Sequence, residues 1–175
     1  MYIWDHSFDH WGHAAMRLED GTDISWWPSE DRHGILREKD IYSAPAVIGQ
    51  TIEQASGPHY ENKKADLKIP INGLDEKAIK TWWNKFKGNH LWKSLSQNCS
   101  TTVSDGLKAG GAKVKLSDIF KQWNLIWTPN DIKKYAQAIK KYEEQQKAHE
   151  DQKKANEEIH RNIDEEFKFR RLPPL

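Results

Sequence analysis

The alternation along residues 13–18, His-Ala-Ala-Met-Arg-Leu, predicts a strand. Ala14, Met16 and Leu18 fall on one side, and His13, Ala15 and Arg17 on the other. Asp20-Gly21 is a hairpin signal, and residues 22–27 return, with Ile24 and Trp26 alternating against Asp23, Ser25 and Trp27. If Ile24 and Trp26 join the core face, Asp23 and Ser25 share the His13 face. Pro28 ends this strand. Residues 29–65 are polar and broken by Gly34, Pro45, Gly49, Gly57 and Pro58, which predicts loops with short elements. Residues 66–71 alternate again, and Pro70 marks an edge or a strand end.

The period then changes to that of helices. Asp75 is an N-cap and Gly88 a stop, with Ala78, Ile79, Trp82, Trp83 and Phe86 on one face between them. A second helix starts at Asn98-Cys99, carries Val103, Gly106 and Leu107 on the face of Cys99, and stops at Gly110-Gly111. The apolar-rich stretch from Leu116 to Trp127 has no clear period. Thr128-Pro129-Asn130-Asp131 opens a third helix in the manner of a capping box, with Ile132, Tyr135, Ala136 and Ile139 as its buried face. Beyond Tyr142 that face thins to Ala148, Ala155, Ile159, Ile163 and Phe167. Glu143, Glu150, Glu157 and Asp164 each precede a cation by four residues, the favourable order, worth about 0.2–0.5 kcal/mol per pair. These residues predict a long, solvated helix ending before Pro173-Pro174, too sparse in apolar positions for a coiled coil. The pattern divides the chain into residues 1–128 and a charged helical extension over 129–175.

Candidate chemistry sits at two helix and strand starts. Cys99 is the chain's single cysteine and lies at a helix N-terminus, while His13 opens the first alternating strand. A free thiol has a pKa near about 8.5. The positive end of the helix and a nearby imidazolium both favour the thiolate, which is the nucleophile in acyl transfer by cysteine. The backbone N–H of Cys99 is the natural first donor to an oxyanion. Ser25 and Asp23 are the candidates to orient the imidazole. A lone cysteine also fits an inert apolar position. His6, His10 and His13 have helical spacing, but Trp11-Gly12 precedes a strand and no second ligand cluster stands out, so no metal and no cofactor are expected.

Composition narrows the classes. The 175 residues are enough for one domain with a core and an appended element. Lys and Arg number 27 against 26 Asp and Glu, so neither a nucleic-acid surface nor an acidic tail is expected. One cysteine makes no internal disulfide. No apolar run is long enough to span a bilayer, and Met1–His6 does not read as a secretory signal, so export without a cleaved leader is expected. The nine tryptophans fit either core filling or a wet–apolar interface.

Gly12-His13-Ala14-Ala15-Met16, Asp20-Gly21-Thr22-Asp23-Ile24-Ser25-Trp26-Trp27-Pro28 and Asn98-Cys99-Ser100-Thr101-Thr102-Val103 with Gly110-Gly111 occur in that order. Over residues 8–128 the chain resembles bacterial toxin domains of the circularly permuted papain-like branch, related to NlpC-type cell-wall peptidases and lecithin–retinol acyltransferase-like enzymes. The resemblance implies an α+β fold in which a small antiparallel sheet packs on the cysteine-bearing helix. It implies Cys99 as nucleophile and His13 as base, with Ser25 carried over as third group, since Asp23 stands where the related strand has a tyrosine. It further implies an antibacterial type VI secretion effector delivered to the periplasm of a target bacterium, with a cognate immunity protein and a secretion-apparatus carrier as partners. The permuted order resembles lipid-acting members most, so hydrolysis of phospholipid acyl esters in target membranes is the leading expectation. A peptidoglycan peptidase or amidase is the alternative. A non-catalytic interaction module built on the charged helix is the third.

Overall fold

A computed structural model of the chain describes residues 1–5, 12–28, 43–47, 49, 51–53, 64–120 and 126–170. The fold is α+β. The alternating segment at residue 13 becomes β2 (His13–Arg17), flanked by β1 (Tyr2–Trp4) and β3 (Asp23–Ile24). The hairpin between β2 and β3 turns at Gly21, whose φ of 82° is the left-handed conformation that glycine adopts without strain. Asp20 Oδ1 accepts the Thr22 N–H at 2.9 Å inside the same turn.

Two further strands appear on the returning segment and beyond it, β4 (Trp27–Pro28) and β5 (Ser43–Ala44), followed by β6 (Ala46–Val47) and β7 (Leu67–Lys68). The main sheet is antiparallel in the order β3-β2-β1-β7, with Trp4 opposite His13, Ile3 opposite Ala14, and Arg17 opposite Asp23. The predicted strand over 22–27 is thus split. Its first half pairs with β2 and its second, β4, with β6. The strand over 66–71 shortens to two residues, and β7 is an edge, as Pro70 implies.

The helices are α1 (Glu76–Phe86), α2 (Cys99–Ala109) and α3 (Pro129–Arg170), with β8 (Trp92–Lys93) between the first two. The Asp75 side chain caps α1 by accepting from the Ala78 N–H. Thr128 and Asp131 cap α3 reciprocally: Asp131 Oδ2 accepts from Thr128 N–H at 3.0 Å and Thr128 Oγ1 at 2.7 Å.

Strand alternation sorts the sheet into two faces. Ile3, Ala14, Met16 and Ile24 face the main core, with Trp26, with Ile79, Trp83 and Phe86 of α1, with Val103 and Leu107 of α2, and with Ile132, Tyr135, Ala136 and Ile139 of α3. Trp4, Ala15 and Ile52 make a second cluster, bordered by Tyr2, Trp27 and Ala65. Helix α2 lies close to β2 because position 106 is glycine. A Cβ there would stand 3.0 Å from Met16 Cε and 3.2 Å from Trp82 Cζ3.

Two compact units result, residues 1–140 and 141–175. The first unit runs past the expected boundary at 128 because the opening turns of α3 carry four buried residues into the core. The second unit is helical, and from Glu144 on its described side chains are exposed, Ile159, Ile163 and Phe167 included. Lys153 Nζ lies 3.9 Å from Glu157 there. Among the described residues no helix is long and apolar enough to cross a membrane. Of the tryptophans, Trp4, Trp26, Trp83 and Trp92 are buried and Trp27, Trp82 and Trp127 half-buried, which is core filling.

Candidate functional site

Helix α2 begins at Cys99, and the residue before it fixes that beginning. Asn98 Oδ1 accepts from the Thr101 N–H at 2.9 Å, the N-cap bond. Its Nδ2 donates to the carbonyls of Ser94 and Trp127, both at 3.0 Å, so one side chain ties the helix start to two loops. Trp26 Nε1 donates to Gln97 O at 3.0 Å and secures the approach from the core side.

Cys99 is half-buried as a residue, and its sulfur is enclosed. Burial pushes the thiol pKa up. The Ala14 N–H, the Ser100 side chain and amide, and the thiol's own N–H pull it down without overcoming burial. The Ala14 contact is the one that matters for the site. It places the sulfur against the peptide that joins Ala14 to His13.

His13 is fully buried. Its Nε2 shares a 3.1 Å hydrogen bond with Ser25 Oγ, which is 2% exposed. Trp27 stacks on the imidazole with ring centres 4.3 Å apart, and Trp4 tilts against it at 5.3 Å. Nδ1 has no hydrogen-bond partner among the described residues. Loss of solvation holds the imidazole pKa down at about 3, so the ring is neutral.

Burial thus works against the thiolate–imidazolium pair that the sequence leads one to expect. Each charged form is disfavoured by burial, and the hydrogen bonds to the sulfur do not offset that cost for the thiol. The sulfur lies against the Ala14 amide, and among the described residues the hydrogen bonds of sulfur and imidazole go to different partners, Ser100 and Ser25. Ser25 stands where the hairpin register predicts, on the His13 face and bonded to the ring. Asp23 shares that face but is turned to other work: Arg17 reaches its two oxygens at 2.6 and 2.7 Å, and Oδ2 also accepts the Ile52 N–H. His6 and His10 lie outside the described residues, and among those described no group of three potential ligands could hold a metal.

The two indoles on His13 were not singled out by the sequence as site residues. Trp27 carried a signal, since it alternates with Ser25 onto the His13 face. Trp4 carried none, because Tyr2–Trp4 is too short to show a period. A cavity of about 150 Å³ lined by Met1, Leu18, Glu19, Asn72 and Glu76 shares no residue with this site.

Two measurable consequences follow from these contacts. Ser25→Ala leaves Nε2 buried and unbonded, and is expected to cost about 1–3 kcal/mol in equilibrium urea unfolding. The buried neutral imidazole also makes stability depend on pH. The unfolded chain binds a proton on His13 near pH 6.5, whereas the folded one does so only near 3. The contribution is whole above about pH 6.5 and falls by at most about 1.4 kcal/mol per unit as pH drops toward 3. Urea unfolding at pH 7, 6 and 5 is expected to show this slope as a narrowing gap between the wild type and His13→Gln. A pH-independent gap would contradict the neutral assignment.

No solved structure matches the chain. Over 75 residues it is 32% identical to the Multifunctional-autoprocessing repeats-in-toxin of Vibrio vulnificus, covering 42% of this chain and 1% of that protein. The toxin of the same name from Vibrio cholerae serotype O1 is 31% identical over 75 residues, covering 42% of this chain and 2% of that one. The chain thus spans a small fraction of these toxins. A family model described as the IcsB middle domain matches residues 37–164, a span that contains Cys99 and the cap that presents it and leaves His13 and Ser25 outside. With most of its length inside that match, the chain belongs to the IcsB middle domain family.

Proposed function

We propose that this protein is a toxin or effector enzyme that takes an acyl group onto Cys99, and that the acyl group comes from a phospholipid ester. The observation that carries the reading is local. The sulfur at the start of α2 lies against the Ala14 amide, and His13, one residue earlier, is held through Nε2 while Nδ1 has no hydrogen-bond partner among the described residues. Catalytic hydrogen bonds are often long before substrate binds and tighten in the complex.

The chemistry starts from neutral partners. With Nε2–H donating to Ser25 Oγ, Nδ1 carries the lone pair. It accepts the thiol proton as sulfur attacks the ester carbonyl carbon. The oxyanion lies at the N-terminus of α2, where the Cys99 N–H is a donor. The imidazolium returns its proton to the leaving alcohol, and a thioester remains on Cys99. Water, deprotonated by His13, then releases the fatty acid and restores the thiol. The indoles of Trp4 and Trp27 give the site apolar walls suited to an acyl chain.

The toxin names of the relatives support an effector role. The permuted papain-like arrangement, delivery by type VI secretion to a bacterial periplasm, and a cognate immunity protein rest on the sequence resemblance.

Incubation with phospholipid vesicles tests the reading. Free fatty acid is expected from the wild type and not from His13→Ala. No release from any phospholipid class, or release that survives His13→Ala, would overturn it.

A further inference from the structure

The imidazole of His13 is held by groups without charge. Trp27 of β4 lies nearly parallel to it, 17° between planes, Trp4 of β1 tilts against it, and Ser25 Oγ holds Nε2. The charged groups on the surrounding elements are bonded elsewhere. Arg17 of β2 joins Asp23 of β3 and Glu53, Asp5 beyond β1 accepts from Lys133 of α3, and Lys68 of β7 lies over the Tyr2 ring. In the proposed pairing, the group that exchanges a proton with the ring is the Cys99 thiol on α2.

Taking the thiol proton turns this ring into a cation. The Cys99 S–H bond breaks as an N–H bond forms on Nδ1, and the electron pair stays on sulfur, so no further reactant is needed. Among the described residues no carboxylate is hydrogen-bonded to the ring to receive the charge. An indole face is negative, and attraction to a cation acts within about 6 Å of the ring centre. Trp27 meets that condition at 4.3 Å, and β4 is anchored against β6 through Trp27 opposite Val47.

We infer that Trp27 is a positioning residue for the thiol chemistry: its indole fixes the plane of the His13 ring and stabilises the positive charge that ring gains when it takes the Cys99 proton. The inference rests on the proposed pairing of Cys99 with His13.

Alkylation of the full chain by iodoacetamide tests it without any assumption about substrate. Cys99 is the single thiol, so the signal has one source. Near pH 6.5 the reaction depends on proton transfer to His13. Near pH 10.5 the thiol ionises with less help. The ratio of the two rates reads assistance by the ring, whereas a change in access or packing lowers both rates together.

Three variants are compared with the wild type. His13→Ala is expected to lower the ratio by about 100-fold. A tetrafluorinated tryptophan placed at position 27 by nonsense suppression keeps the shape of the stack and drains its π charge. It is expected to lower the ratio by about tenfold, and Trp27→Leu by at least as much. Should Trp27→Leu fail to fold, the fluorinated chain decides alone. A wild-type ratio in the fluorinated chain, or equal losses at both pH values, overturns the role of Trp27 while a low ratio in His13→Ala leaves the Cys99–His13 pairing standing. A wild-type ratio in His13→Ala overturns the pairing and this inference with it.

Discussion

Cys99→Ala is expected to lower fatty-acid release from phospholipid vesicles by about 10³-fold or more, with no comparable loss of fold. Removing a nucleophile removes the covalent route itself, which is why such losses exceed those from removing a positioning group. The fold should survive because the residue is half-buried and the start of α2 is held by Asn98, not by the thiol. Cys99→Ser sharpens the test. A hydroxyl ionises far less readily than a thiol, and the enclosed site penalises its anion further, so serine is expected to recover little. Liquid chromatography with mass detection of the released acids measures both variants. Release that persists in Cys99→Ala would remove the sulfur from the mechanism. A toxic effect that persists beside a silent assay would point to binding through the charged α3 helix.

The part of the site that was readable from sequence was the part set by local pattern. Period-two alternation put His13 and Ser25 on one face, and a hairpin turn at Gly21 needs only neighbours in sequence to form. The hydrogen bond between them follows from that register. Caps were readable for the same reason: Asp75, Asn98 and the Thr128–Asp131 pair each act on amides within three residues. The four buried residues of early α3 were legible from a 3.6-residue period, and their burial carried the first unit to Lys140.

Long-range events were not readable. β1, β6 and β8 are two or three residues long, too short to show a period, and form only because a partner strand is present. The fate of Asp23 depends on Arg17 across the hairpin and on Ile52, which is 29 positions away. The sign of the thiol shift was the clearest loss. A helix N-terminus can be seen in a sequence, but the desolvation that raises the thiol pKa depends on how the chain closes over the sulfur. The tryptophans show the same limit from the other side. Their number suits a membrane surface, yet those described pack inward, so an apolar substrate is better argued from the indoles that touch His13 than from composition.

Trp26→Ala is expected to have the largest effect on stability, about 3–5 kcal/mol in equilibrium urea unfolding. The indole is fully buried, edge-on to Trp83 at 5.7 Å and tilted on Phe86 at 4.9 Å. Stability of a domain this size is about 5–15 kcal/mol, so one substitution removes a large part of it. The loss should also reach the site. Ser25, Trp26 and Trp27 are consecutive, and the middle residue points to the main core while its neighbours contact His13. Its Nε1 also holds the Gln97 carbonyl, directly before the Asn98 cap and Cys99. Trp26 therefore joins the strand that fixes the imidazole to the loop that delivers the thiol. Trp26→Phe separates its two roles, since it keeps most of the apolar contact and removes the hydrogen bond. It is expected to cost less in unfolding than alanine, yet to slow alkylation of Cys99 at neutral pH. Unchanged alkylation in Trp26→Phe would mean that Asn98 alone sets the helix start.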